Sequence, residues 1–251
     1  MIIESRNGGI VTVRMNDPER RNAFSMPMRI ALMNSFRALE GDQSVRAIVF
    51  TGGDVQFCVG GDVTAMGAQP PGAALDRMRI VHDLVRLLVQ SSKPLIAAVE
   101  GWAVGGGLSL ALLCDTIVAA ESSRFKAGFS DIGMAPDTGI LHTLPARVGV
   151  GRARQILLYN EVFSAPQALG WGVIDRIVPT GGAQEEAYRL ASILAAKAPL
   201  PMALTRSVFA AGLDDVLLRE REIQALLFSS ADHDEGKTAF LEKRTPIFKG
   251  C

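Results

Sequence analysis

Two hydrophobic rhythms alternate along the first two-thirds of the chain. Ile10-Val11-Thr12-Val13-Arg14-Met15 reads as a strand, and Asn16-Asp17-Pro18 breaks it. Over residues 27–39, Met28, Ala31, Leu32, Ser35 and Phe36 recur at helical spacing, with Ser25 set to cap the first turn. Residues 47–50 and 95–99 are short unbroken apolar runs, as strands buried on both faces are, and 116–120 reads as another strand. A long helix is predicted over 73–90, stopped by Lys93-Pro94, and a shorter one over 108–113, behind the glycine-rich stretch 101–107. Strand, helix and strand in this succession predict an α/β architecture with parallel pairing.

The last third is helical instead, with helices predicted over 151–158, 165–170, 184–197, 201–211 and 216–227. Pro199 and Pro201 mark a break, so the chain divides into a core over 1–198 and a helical region over 199–251. No period of 20–50 residues recurs, which excludes a solenoid.

Composition narrows the function classes. The 26 basic residues balance the 26 acidic ones, which argues against a nucleic-acid binder but leaves room for a small anionic ligand. Cys58, Cys114 and Cys251 are too widely spaced for a disulfide framework or a zinc site. His82, His142 and His233 show no metal-binding spacing, so no metal is expected. His142 and His233 read as surface or subunit-contact residues. The first residues lack the layout of a signal peptide, and no apolar run is long enough to span a membrane. A soluble cytoplasmic protein is the expectation.

Two glycine turns carry the candidate chemistry. Gly101-Trp102-Ala103-Val104-Gly105-Gly106-Gly107 follows a strand and opens a helix, whose first N–H groups have no intrahelical partners. Such a turn admits a ligand close to the main chain, and it equally suits a tight connection packed on the sheet. Phe57-Cys58-Val59-Gly60-Gly61-Asp62 is the second turn, with Asp62 read as a turn former rather than a catalyst.

These turns, together with Arg21-Asn22-Ala23, residues 125–145 and the ending Ala239-Phe240-Leu241-Glu242-Lys243-Arg244, resemble the crotonase (enoyl-CoA hydratase/isomerase) superfamily. The motifs occur in the family's order and cover nearly the whole chain. Among its branches, the 1,2-epoxyphenylacetyl-CoA isomerases are most similar. The resemblance implies a spiral of ββα turns with a helical C-terminal region, assembled as trimers or hexamers. It implies coenzyme A thioesters as substrates and no prosthetic group. The N–H groups of Gly61 and Gly106 would form an oxyanion hole. Arg21, Ala23, Val63 and Thr64 would contact the nucleotide end, and Phe240 and Lys243 would cover it, often from a neighbouring subunit. Residues 65–74 would help shape the acyl pocket.

The family's hydratases resemble a two-glutamate machine, and the matching positions here hold Ser109 and Phe129. Asp137 matches instead the aspartate of some family isomerases, which moves a proton along an acyl chain. An apolar wall of Phe129 and Met134 would suit that role by raising its pKa. As a residue, Asp137 could also cap a helix over 138–144. His82, beside Met78, Val85 and Val89 in helical register, reads as a core histidine. With Asp137 it also resembles the pair of the 4-chlorobenzoyl-CoA dehalogenases, although Phe129 stands where those enzymes have a tryptophan. A non-catalytic CoA-binding subunit is the reading from another class.

Overall fold

The computed structural model describes residues 1–67 and 70–251, so Ala68 and Gln69 of the expected pocket loop lie outside the described residues. In chain order the elements are β1 (Ile2–Asn7), β2 (Ile10–Met15), α1 (Met26–Gly41), β3 (Ala47–Thr51), α2 (Pro71–Val89), β4 (Leu95–Val99), β5 (Trp102–Val104), α3 (Gly106–Leu112), β6 (Thr116–Ala120), β7 (Arg124–Lys126), α4 (Ile140–Tyr159), β8 (Phe163–Ser164), α5 (Ala165–Trp171), β9 (Arg176–Val178), α6 (Ala183–Ala195), α7 (Pro199–Phe209), α8 (Leu213–Leu227) and α9 (Ala231–Glu242). Short 3₁₀ turns at Val63–Ala65 and Ser130–Ile132 border the site.

One six-stranded sheet runs in the order β1-β2-β3-β4-β6-β9, with every pair parallel except the β1–β2 hairpin. A small sheet, β5-β7-β8, stands beside it. The apolar runs at β3 and β4 are fully buried because the large sheet is covered on both faces. Strand alternation divides their side chains. Ile48 and Phe50 of β3 enter the main core with α1 and α2, whereas Ala47 and Val49 meet Ala183, Ala187 and Ala191 of α6. That alanine stripe, four residues apart, lets α6 lie close against the strands.

The helix predictions hold with ends displaced by a few residues, and Ser25 caps α1 by accepting from the Met28 N–H. The expected helix over 151–158 is the second half of α4, which starts at Ile140 and breaks at Gly149, where φ is 73° and ψ 157°.

The C-terminal helices fold back on the core. Arg206 of α7 is buried, donates to the carbonyls of Leu88 and Ser91 at 2.8 Å each, and pairs with Asp115. Asp115 also accepts from the Leu95 N–H at 2.7 Å. The Asp131 carboxylate takes the Asn160 and Lys126 side chains. His233 departs from the surface or subunit-contact place read from sequence. It is fully buried, its ring Nδ1 lies 2.8 Å from the Ile132 carbonyl, and Phe228 meets it edge-on. Gly133 and Gly236 explain this, since an added Cβ would meet Asp232 O at 2.5 Å and the Ile132 carbonyl carbon at 2.6 Å, respectively. Side chains this small seat α9 directly on the Ser130–Ile132 turn and carry His233 inside.

Candidate active site

The two glycine turns are stitched together through the main chain. The Cys58 N–H donates to Trp102 O and the Val104 N–H donates to Cys58 O, both at 3.0 Å, which pairs the second turn with β5. Gly105 then turns the chain with φ 52° and ψ −123°, a conformation that favours glycine, and α3 begins. Gly107 lies so close that a Cβ there would fall 2.2 Å from the Cys58 carbonyl oxygen. The loop before α1 joins the assembly. Phe24 N–H donates to Gly60 O at 2.7 Å, and the buried Asn22 amide donates to the carbonyls of Gly52 and Gln56 at 2.8 and 2.9 Å. Cys58 is inert in this setting, because burial pushes its thiol up to about 12.

Gly61 and Gly106 open onto one cavity of about 440 Å³. Gly106 is the first residue of α3, so its N–H has no intrahelical acceptor, and the helix dipole adds positive potential there. Asp137 lies on the wall of the same cavity. Its Oδ2 accepts from Gln224 Nε2 and its Oδ1 from Thr138 Oγ1, both at 2.9 Å. The carboxylate does not cap α4, whose N-cap is Gly139. Ser109 donates to the Asp137 carbonyl at 2.9 Å, which ties the aspartate's main chain to the floor of α3. Phe129 and Met134 contribute apolar wall, both nearly buried.

The nucleotide-end residues named from sequence share this cavity. Arg21, Ala23, Val63, Thr64 and the half-exposed Phe240 line it, whereas Lys243 does not. Asp62 forms the turn beside them by accepting from the Thr64 hydroxyl and N–H. His82 is buried and absent from the cavity wall. Its Nε2 lies 3.4 Å from Glu220 Oε2, and that oxygen accepts from the Gly139 N–H at 3.0 Å. Glu220 is 1% exposed. Burial pushes its carboxyl pKa up; the His82 contact opposes this and the nearby Asp137 charge adds to it.

Sequence reading missed four polar residues around the site: Arg29, Arg77, Glu220 and Gln224. The signal was present for three of them. Arg29 shares a stripe with Leu32, Met33 and Phe36 on α1, and Glu220 and Gln224 share one with Leu213 and Leu217 on α8. A charged or amide side chain inside an apolar stripe must find buried polar company. Arg29 is 5% exposed, stacks its guanidinium 4.6 Å from the Phe24 ring centre and donates from Nε to Phe24 O at 3.0 Å. Arg77 of α2 lies over Phe228 at 5.6 Å. Both face the cavity.

Comparison with known proteins gives the family. The family model described as enoyl-CoA hydratase/isomerase matches residues 5–251. The chain is 36% identical to the 1,2-epoxyphenylacetyl-CoA isomerase of Escherichia coli K12, over 96% of this chain and 95% of that protein. It is 35% identical to the 2,3-dehydroadipyl-CoA hydratase of the same organism, over 99% and 98%. The crystal structure of an enoyl-CoA hydratase from Mycobacterium avium subsp. paratuberculosis K-10 superimposes with a TM-score of 0.89 at 28% identity, covering 99% of this chain and 98% of that one. A helical tail folded back on stitched glycine turns is thus this chain's version of the crotonase fold, and the chain belongs to the enoyl-CoA hydratase/isomerase family of acyl-CoA enzymes.

Proposed function

We propose that the protein isomerises an enoyl-CoA, shifting a double bond or rearranging a ring, with Asp137 as the single acid–base group. The observation that carries this reading is that Gly61, Gly106 and Asp137 border one cavity. The thioester carbonyl sits between the two N–H groups. Asp137 removes a proton from the acyl chain, and the electron pair left behind delocalises onto the thioester oxygen. Two preorganised donors stabilise that oxyanion more than the neutral carbonyl, which lowers the barrier. Asp137, now protonated, returns the proton at another carbon. Hydration would need a second group to orient water, and the Ser109 hydroxyl is bonded to main-chain carbonyls while Phe129 offers no polar atom.

Gln224 and Thr138 hold the Asp137 carboxylate. His82 acts at a distance, through Glu220 and the Gly139 N–H. Coenzyme A runs out past Arg21, Ala23, Val63 and Thr64 beneath Phe240, and the region 199–251 supplies that cover and contacts between copies. The exposed Leu200, Leu204, Val208 and Phe209 of α7 support a homotrimer or hexamer. Light scattering reads that state directly, and a monomer would refute it.

Asp137→Asn is expected to abolish double-bond migration while acyl-CoA binding persists. Turnover by the variant equal to wild type would reject the acid–base role. Deuterium exchange beside the thioester carbonyl, over a panel of enoyl-CoA esters, separates an enzyme from a non-catalytic CoA-binding subunit. Chloride release from a chlorobenzoyl-CoA would favour the dehalogenase reading instead.

A further inference from the structure

Arg29 and Arg77 reach the cavity from different helices, α1 and α2, and no role proposed above uses either. Among the described residues, neither forms an ion pair. The sole side-chain hydrogen bond that Arg29 makes there is from Nε, so its two terminal nitrogens remain free donors. Its ring contact with Phe24 fixes the guanidinium plane. Burying a guanidinium without an anion is costly, and placing a second one nearby adds repulsion. Burial and the charge of Arg77 pull the Arg29 pKa down, to about 10, which leaves it cationic at neutral pH.

Asp137 does not settle this imbalance. It lies near enough to favour the charge on both arginines, but its oxygens take Gln224 and Thr138 instead. Asp62 also acts on Arg77, yet its Oδ1 is engaged by Thr64. Arg77 lies over the Phe228 ring, and Phe228 packs with Met78 and Met134 in one apolar cluster on the cavity wall. That is the character of an acyl pocket rather than of a solvated phosphate site. A guanidinium fork with two free nitrogens matches a carboxylate in bidentate geometry.

We propose that Arg29, with Arg77 beside it, binds a carboxylate carried by the acyl group, so that the preferred substrates are ω-carboxyl acyl-CoA thioesters rather than neutral ones. The inference rests on the acyl-CoA reading above and specifies its substrate class. We assign the anion to the acyl chain rather than to the solvated phosphates of coenzyme A because Arg29 is itself buried, beside Phe24 and Cys58.

The test is calorimetric titration of the full chain with saturated thioesters in matched pairs: butyryl- against succinyl-CoA, hexanoyl- against adipyl-CoA and octanoyl- against suberyl-CoA. Saturated ligands do not turn over, so the result is independent of Asp137 chemistry. At one length or more, the carboxyl member is expected to bind at least about tenfold more tightly, the scale of a charge-assisted bidentate contact. Arg29→Gln should bring that preference close to one and leave the neutral member's affinity unchanged. Arg77→Gln should reduce the preference in part, and with the wild-type comparison it carries the test if Arg29→Gln fails to fold. Neutral thioesters binding as tightly as their partners at every length would overturn the inference and leave the acyl-CoA reading standing. So would equal weakening of both members in Arg29→Gln, which points to a CoA phosphate. Failure of every thioester to bind would sink the acyl-CoA reading along with it.

Discussion

Adding one methyl group at Gly107 tests whether the two turns hold each other in register. A Cβ there would fall 2.2 Å from Cys58 O and 2.8 Å from Cys58 Cβ. The first contact is with backbone, so no side-chain rotation relieves it, and the Cys58 segment must move. The displaced carbonyl is the one that accepts from the Val104 N–H at 3.0 Å. Overpacking of this kind costs about 1–3 kcal/mol, and the strained hydrogen bond adds about 1 kcal/mol. Gly107→Ala should therefore lose about 2–4 kcal/mol of stability, a fall in Tm of about 5–15 °C for a domain of this size. If Gly61 is carried out of line with Gly106, one donor of the proposed oxyanion hole is lost, worth a drop of about 100-fold or more in kcat. Gly106→Ala is the control. Its Cβ meets only the Phe24 ring edge at 3.1 Å, which a shift of a few tenths of an ångström accommodates, so it should stay within about threefold of wild type. Deuterium exchange of an acyl-CoA beside its carbonyl measures activity in all three proteins, and differential scanning calorimetry measures Tm. A folded Gly107→Ala protein with near-wild-type exchange would refute the claim that this contact sets the register.

Two further outcomes follow from the buried polar groups. The raised pKa of Glu220 means that the folded state keeps its proton to higher pH than the unfolded chain, so stability should fall as pH rises from the ordinary carboxylate range through the folded value. Glu220→Gln removes that titration, and the Tm difference, wild type minus variant, should drop over this window; a difference independent of pH would refute the assignment. Arg206→Ala strands the carbonyls of Leu88 and Ser91 and the partly exposed Asp115, so urea denaturation should show a loss of about 2–4 kcal/mol, whereas a loss below about 1 kcal/mol would mean that α7 does not depend on this anchor.

The buried parallel strands were legible because a strand covered on both faces needs an unbroken apolar run, and β3 and β4 fall where those runs lie. The elements that escaped sequence reading had no such pressure on them. β1 is largely exposed, β5 and β7 are three residues each, and β8 has two. Their pairing is set by neighbours, which local pattern does not encode. Around the site, the glycine turns could be seen because glycine is conspicuous. Arg29 and Glu220 were hidden by the habit of reading a charged residue as solvent-facing, although each interrupts an otherwise apolar stripe. The burial of His233 depends on two glycines about a hundred positions apart, Gly133 and Gly236, and no local rule connects them.

Because the donors proposed at Gly61 and Gly106 belong to the main chain, no single side-chain truncation can delete them, and none can tune their strength either. Descent with modification therefore has a free hand at the walls. On the proposed reading, exchanges at wall residues such as Asp137 and Phe129 would redirect protons or admit other acyl groups while leaving both main-chain donors in place.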